Sequence, residues 1–188
     1  KNGKGRKYDC LVGISGGVDS SWSLVKAVES GLRPLAVHMD NGWNSELTQN
    51  NIYNLVTRLG VDFQTHVIDW QEYKSLMQAF FDADVVDIEL LYDNAMIAVN
   101  YKYASKYGIK YILSGDNNQT EGFRIPDDWV WHKYDVQNIK DISKGYTDLI
   151  TFPAISTLKK KYYEKVRGID WVNFLDYFTY DKHKVIEE

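Results

Sequence analysis

Residues 15–20 read Ser-Gly-Gly-Val-Asp-Ser, set between an apolar run over 8–14 and a helix-like stretch over 20–28. A strand that empties into two glycines and then a helix leaves bare backbone N–H groups at the positive end of a helix dipole, a natural anion site. Ser15, Ser20 and Ser21 can add hydroxyl donors around Gly16 and Gly17. Asp19 is the one acid in a loop otherwise suited to negative charge, and it makes most sense with a metal ion beside the phosphates. The same residue types also build an ordinary turn followed by a helix N-cap, so the hexapeptide alone leaves both readings open. It matches neither the Walker A pattern nor the dinucleotide Gly-x-Gly-x-x-Gly pattern.

A second loop carries the chemistry further. Ser114-Gly115-Asp116-Asn117-Asn118-Gln119-Thr120-Glu121-Gly122 leaves an apolar run through a glycine and places an acid six residues on. Its residues are good turn formers, yet a long polar loop at a strand end is also a usual place for function. Asp40, in Asp40-Asn41-Gly42, ends another apolar run and is either a tight turn or a nucleotide contact. Beyond Glu121 the chain sets Arg124, Trp129, Trp131 and Lys133 close together. Trp faces suit the apolar faces of sugar rings, and Arg forks suit carboxylates or phosphates.

The elements that must hold these loops alternate in kind. Apolar runs at 8–14, 34–39, 61–68 and 110–114 read as strands; helical periodicity falls between them at about 20–30, 52–59, 71–91 and 93–107. Gly31, Gly60 and Gly108 stand where these helices should stop. Asp82, Asp84, Asp87 and Glu89 read as a solvated rim, and Met96, Val99, Tyr103 and Tyr107 as one helix face. Strands separated by helices predict an α/β fold with a doubly wound parallel sheet, whose ligands sit at the carboxyl ends of the strands. Loop 15–20, Asp40 and the segment from Gly115 all fall there. After 122 the pattern is less regular, with short helices expected over 134–142 and 157–166. Lys159, Lys160 and Lys161 in the latter read as a solvated basic face or a phosphate-facing patch.

Bulk properties narrow the class. The 188 residues suffice for one buried α/β domain, expected over 8–178, with a core at 8–122 and a substrate side at 115–178. Residues 1–7 read as a basic linker, suggesting a fragment of a longer protein, and 179–188 as a polar tail. A net charge of −4 argues against general nucleic-acid binding. One cysteine, Cys10, excludes an internal disulfide and fits the cytoplasm. No run approaches a membrane span. His38, His66, His132 and His183 lack metal-ligand spacing.

The loop at 15–20 resembles the pyrophosphate loop of the ATP-pyrophosphatase (PP-loop) superfamily, whose fold is that of adenine nucleotide alpha hydrolases. The loop from Gly115 resembles the strand-end loop of NAD synthetase and related amidating enzymes. That resemblance implies that Asp19 and Glu121 share a magnesium ion; Asp116 stands where NAD synthetases commonly have Thr. The order Ser-Gly-Gly-Val-Asp-Ser, Asp-Asn-Gly-Trp, then Gly-Asp-Asn-Asn-Gln-Thr-Glu-Gly with a Trp-rich stretch is similar to the N-acetyl sugar amidotransferase family of bacterial surface-glycan and lipopolysaccharide O-antigen biosynthesis. The likeness covers about residues 7–170; the family's N-terminal cysteine-containing segment is not in this chain.

The resemblance implies ATP and magnesium as cofactors, a sugar or sugar-nucleotide substrate, and ammonia supplied by a separate glutaminase partner. Ser15, Gly16, Gly17, Asp19, Ser20, Ser21, Asp40 and Gly115 would hold the nucleotide. Asp19, Glu121 and Asp116 are the catalytic candidates, and Asn117, Arg124, Trp129, Trp131 and Lys133 the substrate contacts. Two other readings share the loop: a sulfur transferase acting on tRNA or a small molecule, and a non-catalytic nucleotide-binding module.

Overall fold

The computed structural model describes residues 5–116, 126, 129–179 and 185. Five parallel strands form one sheet in the order β3-β2-β1-β4-β5. They are β1 (Cys10–Gly13), β2 (Pro34–Asp40), β3 (Asp62–Val67), β4 (Tyr111–Ser114) and β5 (Asp170–Asn173). The helices are α1 (Val18–Glu29), α2 (Glu46–Leu59), α3 (Trp70–Asp82), α4 (Leu90–Tyr107), α5 (Val136–Ser143) and α6 (Thr157–Lys161). A π-helical turn, Tyr162–Val166, continues α6.

The central strands β1, β2 and β4 are buried on both faces and alternate between two cores, while the edge strands β3 and β5 are partly exposed. Cys10, Val12, Ala36 and Leu113 pack with Leu24 and Ala27 of α1 and Ile52 and Val56 of α2. Leu11, Leu35, Val37 and Ile112 point the other way, into the cluster built by α3, α4 and Ile139 of α5. A side-chain period of two explains the alternation, and cover on both faces explains why the strands read as continuous apolar runs. Burying a Leu of this kind contributes about 1.5–3 kcal/mol.

β1 is central, with Val12 in register with Ala36 of β2 and Leu113 of β4. From β1 the chain winds out to β2 and β3, then returns to lay β4 on the other side. The strand order therefore reverses between β1 and β4, where doubly wound sheets open a crevice.

Two expectations need correction, and one strand was missed. The stretch 71–91 is not one helix: α3 stops at Asp82 and α4 starts at Leu90. Asp84 adopts φ 50°, while its N–H reaches the Phe81 carbonyl and that of Val85 the Phe80 carbonyl. That is a Schellman closure with Asp in the place usually taken by Gly. The short edge strand β5 carried too little apolar pattern to be read from sequence. Asp87 is not part of a solvated rim: its carboxylate, 12% exposed, accepts from Lys133 Nζ and the Trp131 N–H.

Two buried polar side chains fasten the carboxyl-terminal third to the core. The Glu72 carboxylate accepts the N–H groups of Ile150 (2.7 Å), Thr151 (2.8 Å) and Phe152 (3.1 Å) and the Thr151 hydroxyl. Asn94 donates to the carbonyls of Lys133 and Ile155 and accepts from the Ile155 N–H. Among the described residues no helix is long and apolar enough to cross a membrane.

Candidate active site

Ile14 ends the buried run, and its N–H still donates to the Val37 carbonyl at 2.8 Å. Gly16 then turns the chain at φ 79°, where an added Cβ would stand 2.7 Å from Thr48 Cγ2. Both facts call for glycine. Gly17 caps α1 without any side-chain bond, so the helix begins with no side-chain cap from that residue. The hydroxyls tie the loop together: Ser20 and Ser21 Oγ donate to the Gly17 carbonyl at 3.2 and 2.7 Å. The Ser15 N–H donates to Ser20 Oγ at 3.1 Å. Such a loop keeps its shape before any ligand arrives.

Gly115 closes the site from the other side of the switch point. A Cβ on it would lie 2.8 Å from the carbonyl carbon of Asp19 and 2.8 Å from the amide nitrogen of Ser20. Only glycine lets the end of β4 run this close to the first turn of α1.

His38 links the ends of β1 and β2. Its Nδ1 lies 2.9 Å from the Ile14 carbonyl and its Nε2 3.1 Å from Asn44 Nδ2, which also donates to Asp40. The carbonyl requires a proton on Nδ1 and the amide donor requires a lone pair on Nε2, so the ring is the neutral Nδ1–H tautomer. Asp40 also accepts the Gly42 N–H at 2.9 Å, making a turn that seats Gly42 against Trp70.

Between these loops lies a cavity of about 240 Å³ lined by Ser15, Asp19, Ser20, Gly115 and Asp116. Its apolar walls come from Ile14, Val37, Met39, Val99 and Ile112. The walls suit a planar base, and the loop and helix terminus suit phosphates. Gly16, Gly17, Ser21 and Asp40 are not in its lining. Asn117, Glu121 and Arg124 lie outside the described residues.

The Trp-rich segment divides. Trp129 and Trp131 line a separate apolar pocket with Phe80, Val85, Leu90 and Ile142. Lys133 stands instead in a chamber that adjoins the first cavity. Burial alone would lower the Lys133 pKa, but its bonds to Asp87 and Asp93 outweigh that and raise it.

Sequence reading missed Asn100, which is 3% exposed and also lines the cavity. A Cβ on Gly13 would come 2.9 Å from Asn100 Nδ2, so β1 ends in glycine to admit it. A polar residue among the buried, mostly apolar positions of α4 was the available signal.

No group of three or more His, Cys, Asp or Glu capable of holding a metal occurs among the described residues. Magnesium needs less, since it keeps several waters and takes one or two carboxylates plus substrate phosphates. Asp19, on the cavity wall in the first turn of α1, fits that donor set.

A parallel sheet with a glycine-rich loop at its switch point defines an α/β fold of the adenine nucleotide alpha hydrolase type. The chain belongs to the NAD synthase family, whose profile matches residues 4–124, and so to the PP-loop ATP pyrophosphatases. Among solved structures it is similar to a predicted subunit of a tRNA methyltransferase from Methanocaldococcus jannaschii. That likeness has 17% identity, covers 95% of this chain and 76% of that one, and has a TM-score of 0.54. It is also similar to the glutamine-dependent NAD+ synthetase of Acinetobacter baumannii in complex with ADP. There the identity is 18%, the cover 99% of this chain and 40% of that one, and the TM-score 0.50. Both likenesses concern the fold. No curated protein matches the chain in sequence.

Proposed function

We propose that the chain is the ATP-dependent catalytic unit of an amidotransferase acting on an N-acetylated sugar, cytoplasmic and serving bacterial surface-polysaccharide assembly. The observation that carries this is the meeting of loop 15–20 and the Gly115–Asp116 turn on one cavity, in a chain of the NAD synthase family.

An amide oxygen is a poor leaving group, so ammonia cannot displace it directly. Attack of that oxygen on the α-phosphorus of ATP forms a new P–O bond and expels pyrophosphate, leaving an O-adenylyl imidate. Ammonia adds to the imidate carbon and AMP departs, giving an acetamidino group that keeps its proton. The work for the protein is alignment and charge stabilisation, without a nucleophilic side chain. The first-turn N–H groups of α1 and the Ser15 and Ser20 hydroxyls would hold the pyrophosphate. Asp19, together with Glu121, would hold magnesium, which supplies charge neutralisation on the phosphates when bound. Ammonia would come from a separate glutaminase partner.

The test is incubation with ATP, magnesium, ammonium and N-acetylated sugar nucleotides, reading pyrophosphate. Sugar-dependent release is the expected result. Release that depends instead on tRNA with a persulfide donor would overturn the reading in favour of sulfur transfer, and failure to bind ATP would overturn it altogether.

A further inference from the structure

The chamber beside the nucleotide cavity has a volume of about 480 Å³, within the range of roughly 300–1,000 Å³ usual for small-molecule sites. Met96, Asp116 and Trp171 line both spaces, so a ligand in the chamber reaches the nucleotide past Asp116. The remaining walls come from Asp93, Ile97 and Tyr101 of α4, Lys133 and Tyr134, and Lys160 and Glu164 of the 157–166 helix.

The charges here are already matched to one another. Lys133 Nζ bonds both Asp87 oxygens, at 3.0 and 2.8 Å, and pairs with Asp93 at 2.8 Å. Those contacts occupy all three of its protons. Lys160 pairs with Glu164 at 2.7 Å and sits 4.7 Å from the centre of the Tyr134 ring. This corrects the expectation of a solvated basic face at this lysine, which is 25% exposed. Three lining carboxylates, Asp93, Asp116 and Glu164, stand against two lining ammonium groups. A diphosphate needs unpaired cations and would meet net negative charge instead.

Hydroxyl groups suit such walls, since each can donate to a carboxylate and accept from an ammonium. Glu164 Oε1 takes both the Lys160 ammonium and the Tyr101 hydroxyl, the latter at 3.2 Å, and a carboxylate has about four acceptor positions, so it can accept a further hydroxyl. Tyr134 and Trp171 add aromatic surface to the lining, which suits the C–H face of a ring.

We propose that this chamber is the acceptor site and takes an uncharged, hydroxylated ring, with the Glu164 carboxylate accepting one of its hydroxyls, while any anionic carrier of that ring stays outside. This rests on the amidotransferase reading above and adds where the acceptor enters and which part of it does so.

The test is saturation-transfer NMR on the full chain with magnesium and α,β-methylene ATP. The probes are N-acetylglucosamine, N-acetylgalactosamine, their UDP conjugates, and UDP alone. Saturation should fall on pyranose and acetyl protons, and UDP alone should neither gain saturation nor compete. Glu164→Gln should weaken sugar binding about tenfold, the scale of one hydrogen bond to a charged group. A calorimetric titration of the ATP analogue serves as the independent arm. Normal analogue binding with no sugar contact, with competition by UDP, or with Glu164→Gln indistinguishable from wild type overturns the acceptor assignment and leaves the ATP reading standing. No analogue binding by the wild-type chain overturns both.

Discussion

Gly115 lies against the backbone of Asp19, so near that a Cβ at 115 would stand 2.8 Å from the Asp19 carbonyl carbon. That contact couples the end of β4 to the first turn of α1 across the point where the strand order reverses. The two loops of the cavity therefore share one geometry.

Gly115→Ala forces that geometry apart, because the atoms it meets are backbone and cannot rotate away. The substitution should destabilise the fold by about 1–3 kcal/mol, the usual range for overpacking. Affinity for an ATP analogue should fall along with stability. Denaturant unfolding and calorimetry measure the two effects. A variant as stable as wild type with unchanged nucleotide affinity would show that the coupling is slack.

Asp19→Asn keeps the size of the side chain and removes its charge. Pyrophosphate release should fall by at least about a hundredfold, as when one electrostatic contact to a reacting centre is lost. The unfolding midpoint should move little. Full activity in this variant would remove Asp19 from the metal site.

The sequence made the central sheet legible because buried parallel strands are apolar throughout, and helix stops at Gly60 and Gly108 announce themselves. Loop 15–20 was legible for a related reason, since two glycines and an acid beside serines constrain the chemistry. The division between Lys133 and the two tryptophans was not. It depends on Asp87 and Asn94, which anchor residues 131–133 from around the start of α4, far away in sequence, and no local pattern encodes such a pairing. The role of Lys160 was hidden for the same reason, because a run of three lysines reads as solvent-facing until Glu164 and Tyr134 are placed beside it.

Glu72 gives a pH-dependent expectation. Burial alone would push its pKa up, but the Thr151 hydroxyl and three backbone N–H groups outweigh it and hold the group below its ordinary value. A depressed carboxylate stabilises the fold above its unfolded pKa and loses that contribution as pH falls through the folded pKa. The window therefore opens near pH 5 and extends below pH 4, given an unfolded Glu pKa of about 4.3. Glu72→Gln puts an amide donor against N–H donors and should cost about 2–3 kcal/mol at pH 7. The gap between the variant and wild type in urea unfolding should narrow as the pH is lowered through this window. A gap that stays constant down to pH 3 would mean the carboxylate charge contributes nothing to the clamp.

Cys10 decides against a sulfur-carrying role for this chain's own thiol. It is 2% exposed within β1, and burial, with a smaller contribution from the Asp9 charge, pushes its pKa up to about 12. At pH 8 only about one thiol in ten thousand would then be the reactive thiolate, before access is considered. Iodoacetamide should accordingly leave the native chain unmodified over the time in which the urea-unfolded chain reacts fully, as read by mass spectrometry. Cys10→Ala should retain sugar-dependent pyrophosphate release, because the amidotransfer route needs no sulfur nucleophile. Rapid labelling of the native protein, together with loss of all turnover in Cys10→Ala, would instead mark this cysteine as a participant and return the sulfur-transfer reading to first place.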